Sequence, residues 1–470
     1  MAASLADGKL CSAGDVRHAM THLMPSMAPC WERPLEEYAA TVFDAVKGQA
    51  ACSVRLHAME LLCRCVERAA RRSGFADEEA RRASHQLMSA PVLQTGPHCL
   101  LLPEPVALYT HLFSLMGLEA HRLEWYITYH ASTVSFAEKA KKGPGWLWLE
   151  GEALNVFGLP RRRMDSSSVC GLSGPYRFAL SNAHGQSVPN AAAAHLLSEL
   201  PSGEFASAAD AIRDANQMLW RRKLSSSVKL LQLDDLDIAD LVADHLEDPA
   251  SWLSAGFIRN RAVAESVLDT IDQLNSGPWK GWLRRTTDFF WGTDKGRIVP
   301  LRLRDNVLAT KNRPDFEVQF RPESLVAALR HRVLVPSLFM VFLVTSIMPG
   351  VRVLGGCRQV IYYPLMRYLA AKAFARSGEL ELWEEDMRRD RLPGVWGHRV
   401  LKRDGADPLG KIRLLDSAAA LLSRYRKMPL VQTAGDLASF TSDPLWADLL
   451  ANTERGIINS ASTEWQWSGL

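Results

Sequence analysis

Apolar residues recur at helical spacing over residues 54–72 (VRLHAMELLCRCVERAARR), a stretch that ends in basic side chains, as suits the negative end of a helix dipole. A second helix is predicted over 77–88, and together the two form a helical lead-in to a sheet. From Pro91 the pattern changes. The run PVLQTGPHCLLLPEP reads as a short apolar strand, a Thr-Gly-Pro turn and the approach to a helix through 108–118, with another strand over 123–129. Strand, turn, helix, strand is the order that builds a parallel sheet, and in such sheets ligands gather at the carboxyl ends of the strands. Gly96–Pro97–His98 and the segment from His130 to Thr133 fall at those ends.

Further along, 160–190 is rich in Arg, Ser, Gly and Asn and reads as an irregular insertion. A capped helix is predicted over 202–223, another over 262–274, and a pair of short strands over 282–303 around Gly292 and Gly296. The uncharged run 333–351, between Arg332 and Arg352, approaches the roughly 20 apolar residues of a spanning helix. Pro336, Pro349 and Gly350 interrupt it, so a buried helix feeding a buried strand is the preferred reading and a single membrane span the alternative. A strand over 353–356 then ends in Gly355–Gly356, a helix follows over 363–375, and charged helices are expected over 379–391 and 414–427. No repeat of 20–50 residues appears, which disfavours solenoids and propellers.

Composition narrows the function classes. Of 470 residues, 47% are hydrophobic and 23% charged, an ordinary globular balance. Lys and Arg (55) against Asp and Glu (52) leave a net charge of +3, too little to mark a dedicated nucleic-acid binder. The eight cysteines are scattered without CxxC pairs, as in reduced cytoplasmic chains, and Cys63 and Cys65 point to different faces of one helix, so no metal is expected. The first fifteen residues lack a basic start followed by an apolar stretch, so no secretory signal is expected.

The candidate chemistry lies at the two turns. Thr95 and Gly96 offer close backbone approach directly after a strand, and His98 a proton carrier near neutral pH; a turn with a merely structural histidine is the competing reading. His130 with Ser132 and Thr133 could grip phosphate oxygens or move a proton, or be held structurally. Gly355 and Gly356 allow a tight turn before a helix N-terminus, where Arg358 and Gln359 would read a phosphate or carboxylate, with Tyr362 beside them; a packing turn is the alternative. Cys357 lies where a helix N-terminus lowers a thiol pKa, but no base partner is identifiable. Lys223 followed by Leu224, Ser225, Ser226 and Ser227 looks superficially like the lysine-serine loop of class I nucleotidylyl-transferring enzymes, and equally like a helix end running into a serine loop. The run Arg161, Arg162, Arg163 reads as solvated surface, and Trp146 with Trp148 as strand residues packing a core.

At the two turns the chain resembles the bacillithiol-biosynthesis cysteine-adding enzymes, the cysteine ligase family. The better match is MPGVRVLGGCRQVIYYPLMR, where Pro349, Gly355, Gly356, Tyr362 and Tyr363 fall in register and Gln359 stands at the family's acidic position. The weaker match runs from Gly96–Pro97–His98 through Pro105 to Tyr109 and Thr110; the family's glutamines and lysine are replaced, and of its acidic-histidine cluster only His130 remains. The resemblance implies an α/β fold with a Rossmann-like parallel-sheet core, inserted segments and a helical C-terminal region. The expected division is a helical lead-in over 1–90, a core over 91–375 with insertions at about 160–350, and a helical region over 376–470.

The resemblance also implies a cytoplasmic biosynthetic enzyme that joins an amino acid to a small polar acceptor with ATP or ADP. In it Gly355 and Gly356 present backbone donors, Arg358 and Gln359 bind an anionic or amide group, and His98 with His130 position or protonate the reacting group. A catalytically inactive scaffold on the same fold is the rival reading, favoured by the altered positions. A small-molecule substrate, no nucleic acid, no stable membrane span and a homodimer paired through the charged C-terminal helices complete the expectations.

Overall fold

The structure is a computed structural model and describes residues 10–44, 51–133, 145–159, 173–182, 184–188, 191–224, 227–310, 313–402 and 418–469. Arg161–Arg163, Cys170, Ser225 and Ser226 lie outside the described residues.

Five short strands form one parallel sheet: β1 (Val92–Gln94), β2 (Trp125–Tyr129), β3 (Lys229–Leu233), β4 (Arg352–Gly355) and β5 (Gly394–Trp396). Their spatial order is β5-β4-β1-β2-β3. The chain therefore builds outward from β1 in one direction, then returns to the other side of β1 for β4 and β5. β1, β2 and β4 are buried along their whole length, as befits a sheet covered on both faces. The mixed α/β class is as expected, and a parallel sheet in this order is compatible with a Rossmann-like core.

Helices cover the sheet. α1 (Leu35–Phe43), α2 (Ser53–Arg72) and α3 (Asp77–Ser89) belong to the lead-in, and α2 and α3 match the helices expected at 54–72 and 77–88. α4 (Pro105–Ala120) joins β1 to β2 and is apolar around nearly its whole circumference, which requires burial on all sides. It meets α1 so closely that a Cβ on Gly117 would lie 2.2 Å from the Phe43 ring. α5 (Ala208–Lys223) precedes β3, and α6 (Asp235–Glu247) follows it. α5 starts later than expected: Ser207, not Ser202, accepts the first-turn amide of Asp210, because Phe205–Ser207 pairs with Ser173–Tyr176 as a small antiparallel ladder. α7 (Arg261–Ser276) and α8 (Gln359–Ser377) agree with the expected helices, and α9 (Pro444–Glu454) closes the C-terminal region.

The uncharged run 333–351 folds as a short strand (Leu334–Pro336), a helix of five residues (Leu338–Phe342) and a wider turn (Leu343–Ile347) that leads into β4. It is buried except at Val333, Leu338 and Gly350. No helix among the described residues is long and apolar enough to cross a membrane. The strands expected over 282–303 are Phe290–Asp294, Arg297–Pro300 and Arg302–Arg304, parts of two small antiparallel sheets between β3 and β4.

A single hydrophobic cluster runs from Val16 to Trp465, so lead-in, sheet and C-terminal helices share one core. Arg352, the first residue of β4, shows how they are joined. Its buried guanidinium donates to the carbonyls of Thr41, Val42 and Asp44 at the end of α1 and to that of Arg391 before β5. It thereby satisfies acceptors that a helix end leaves unpaired. Burial pulls that guanidinium down to about 10.

Candidate functional site at the reversal of strand order

Because β4 lies beside β1, the turns after them become neighbours although 259 positions separate Thr95 from Leu354. This is where the strand order reverses, the place in an open parallel sheet where the two connections leave in opposite directions and a crevice opens. The structure therefore brings together Thr95, Gly96, Gly355, Gly356, Gln359 and Tyr362.

Each glycine there admits a particular side chain. A Cβ on Gly355 would lie 2.0–2.4 Å from the Gln359 amide, which folds back over the turn. A Cβ on Gly96 would lie 2.3 Å from the Cβ of His398, and one on Gly356 would lie 3.3 Å from its Cδ2. His398 thus stands between the two turns, on the loop that leaves β5. Both Gly397 and His398 donate their amides to the Gly355 carbonyl (3.0 and 3.1 Å), which fixes that loop against the turn after β4.

The hydrogen bonds define the roles of these groups. The Thr95 amide donates to Leu354 O at 2.9 Å, and the Thr95 hydroxyl lies 2.9 Å from both Leu354 O and Gln359 Oε1. One proton cannot serve two acceptors. The network therefore favours the Gln359 orientation that turns its nitrogen toward Thr95 and toward the Tyr362 hydroxyl, 3.2 Å from the same amide end. The Gly96 amide donates to Gln94 Oε1 (2.9 Å), and Gln94 Nε2 donates to Ser114 and to Gly397 O. At His398, Nδ1 lies 3.0 Å from Thr110 Oγ1, which already donates to Val106 O and accepts from the Arg399 amide. Nδ1 must then carry the proton, and Nε2 is the ring's lone-pair nitrogen.

The other candidate groups have different surroundings. His98 is exposed at the surface, two residues beyond Gly96. His130 is 1% exposed, its Nδ1 bound by Gln232 Nε2 at 2.7 Å and its ring stacked 6.1 Å from that of His111. Burial, reinforced by the neighbouring His111 and His98, pushes its pKa well below the usual value, so it is neutral at pH 7. Burial likewise lowers His111 to about 3. His111 Nε2, His130 Nε2 and Gln232 Oε1 have no hydrogen-bond partner among the described residues.

Ser132 and Thr133 are turned to Asp235, the first residue of α6. That carboxylate accepts both their amides, the Ser132 hydroxyl and the Tyr129 hydroxyl. Burial pushes the Asp235 carboxyl up, against the pull of these donors. The cluster fastens the end of β2 to that of β3, and its donors are directed to Asp235.

Arg358 makes a two-point contact with Asp443 (2.6 and 3.1 Å), the capping residue of α9. The Cys357 carbonyl accepts the Trp446 indole at 3.0 Å. The turn after β4 is therefore tied to the C-terminal region, and the cationic group expected to read an anion is engaged by a protein carboxylate. Lys223 ends α5 in an ion pair with Glu199 (2.6 Å). Trp146 and Trp148 lie in a hairpin, the first buried and the second half-buried.

His398, Thr110 and Gln94 are the site residues that sequence reasoning missed. A signal for the first exists: Pro393–Gly394–Val395–Trp396–Gly397–His398 repeats the short apolar strand, glycine and histidine of the segment ending at His98. Among the described residues no group of three His, Cys, Asp or Glu side chains is placed to hold a metal ion. No protein-family model matches the chain, and no curated protein matches it.

Proposed function

We propose that the chain is a biosynthetic enzyme of the amino-acid-conjugating, cysteine-ligase type, which takes a small polar substrate in the crevice between the turns after β1 and β4 with ATP or ADP assistance. The observation that carries this reading is the meeting of Gly96 with Gly355–Gly356 where the strand order reverses, with the N-terminus of the 19-residue α8 directly behind and an imidazole held between the turns. In this reading His398, which stands between the two turns, supplies the base in place of His130, its lone-pair nitrogen set by the Thr110 contact. An anionic group of the substrate or nucleotide sits toward the start of α8.

A second reading is a catalytically inactive binding scaffold on the same fold. It is favoured by the engagement of Arg358 with Asp443 and of Ser132 and Thr133 with Asp235.

Thermal unfolding of the purified chain against ATP, ADP and a panel of amino acids tests both. A ligand of the native state at a hundredfold excess over its Kd stabilises by about 2.7 kcal/mol, a readily measured rise in Tm. The enzyme reading expects stabilisation by a nucleotide and an amino acid, and product formation that His398→Ala abolishes while ligand-induced stabilisation persists. Stabilisation without turnover supports the scaffold, and no stabilisation by any ligand overturns the crevice as a binding site.

A further inference from the structure

A separate cavity of about 290 Å3 runs along Tyr362, Met366 and Leu369 of α8. Its opposite walls are Leu268 and Ile271 of α7, with Trp282 and Phe289 from the segment that follows. The volume sits at the lower edge of the roughly 300–1,000 Å3 common for small-molecule sites, and at ~30 Å3 for each non-hydrogen atom it takes roughly ten of them.

Three cationic side chains line this space, Arg284, Arg285 and Arg358, and no acidic side chain does. Two of the three are neutralised. Arg358 is paired with Asp443, while Arg285 is held by Asp272 and by both oxygens of Asp288, which Arg302 also contacts. Arg284 is exposed, and its guanidinium has no hydrogen-bond or ion-pair partner among the described residues. Thr286 is also exposed, and Leu338 is 43% exposed, so one side of a mostly apolar cavity, with Thr287 and Ser337 among its lining, opens to solvent beside one uncompensated positive charge.

One free cation over an apolar interior matches a ligand with one negative charge and an apolar body; a polyphosphate would leave most of its charge unpaired against aromatic walls. We propose that this cavity binds a small amphiphilic monocarboxylate, with its tail or ring between α7 and α8 and its carboxylate on Arg284. The site shares only the Tyr362 and Arg358 region with the glycine crevice, and its occupation does not depend on the function proposed for that crevice.

Isothermal titration of the full chain with sodium octanoate, a ten-atom probe, tests the proposal against octan-1-ol and octylammonium at the same concentrations. Octanoate should bind more tightly than the alcohol and the ammonium. Arg284→Met should weaken octanoate about two- to fivefold while leaving octan-1-ol unchanged, since a solvent-exposed ion pair is lost but no apolar contact. Leu338→Glu, at an exposed position of the opening, should weaken octanoate as well by placing a like charge at the entrance. Circular dichroism of both variants confirms that they remain folded. Absence of octanoate binding up to several times the roughly millimolar Kd expected of so small a ligand overturns the proposal. So does octanoate binding unchanged by both substitutions, or octylammonium binding as tight as octanoate.

Discussion

Replacing Asp390 should be among the most damaging single substitutions in the chain. Its carboxylate accepts from Arg55 through both oxygens (2.7 and 2.9 Å) and from Arg367 at 2.8 Å, where Arg367 is 1% exposed. Arg55 belongs to α2 and Arg367 to α8, and Arg367 also donates to the carbonyls of Met387 and Trp467. One carboxylate therefore links lead-in, core and C-terminal tail. Asp390→Ala leaves two buried guanidinia with only Asp386, 4.0 Å from Arg55, in partial compensation. Breaking a buried pair from one side costs about 3–5 kcal/mol, a large part of the roughly 5–15 kcal/mol that holds a domain folded. With a urea m-value of about 3 kcal/mol/M, the midpoint should fall by about 1–1.7 M in unfolding followed by far-ultraviolet circular dichroism. Burial alone would raise the Asp390 carboxyl, but the two guanidinia win and hold it below the ordinary range. A depressed carboxyl contributes stability above its unfolded pKa of about 3.9 and loses it as pH falls through the lower folded value. The difference between parent and variant should therefore hold from pH 7 to about 4 and shrink in stronger acid. It should also resist salt, because screening acts weakly on buried pairs. A midpoint shift under about 0.3 M, near 1 kcal/mol, would refute the view that this pair is desolvated.

Gly96→Ala should destabilise by about 1–3 kcal/mol, because the new methyl would lie 2.3–2.7 Å from His398 atoms. His398→Gly, which removes the Cβ that stands nearest, should recover most of that cost in the same chain, and additive costs in the double-mutant cycle would show that the two residues are not in contact. A pH effect follows from the buried histidines: His111 and His245 are both held at about 3 by burial, so the native state keeps them neutral while the unfolded chain takes up protons below about 6.5. Stability should accordingly fall in acid by about 1.4 kcal/mol per histidine between pH 7.5 and 5.5. His111→Asn should remove one such share, and an unchanged pH dependence in that variant's urea midpoints would contradict the assignment.

Three strands of the sheet are legible as apolar runs bounded by turn residues: VLQ, WYITY and RVLG. The other two are not. β5 opens on Gly394 and carries only two apolar side chains, Val395 and Trp396, too few to stand out as a run, and its place in the sheet comes from pairing with β4. This is why the sheet extends past the boundary expected at 375. β3 begins at Lys229, whose ammonium bonds Glu79 and Glu124, so a strand that is buried from its second residue opens on a charge and follows a serine-rich segment. At the site the glycines are legible because a turn after a strand demands them, but their occupants are not. Gln359 returns over Gly355 from within one helical turn, whereas His398 reaches Gly96 from 302 positions away. No local pattern encodes that approach. The engagement of Arg358, Ser132 and Thr133 is hidden for the same reason, since Asp443 and Asp235 come to them only through tertiary folding.

The pairing of β1 with β4 also sets a timetable for synthesis. Gln94 leaves the ribosome 258 residues before Arg352. At about 5–20 residues per second, β1 waits about 13–50 seconds for its neighbour on that side. Throughout that interval β1, β2 and β3 form at most a half-sheet whose β1 edge carries unpaired amides and carbonyls between apolar faces, an invitation to pair with another chain. Chaperone engagement of the nascent chain should therefore concentrate between the emergence of residue 94 and that of residue 355, and truncations ending before β4 should aggregate rather than fold.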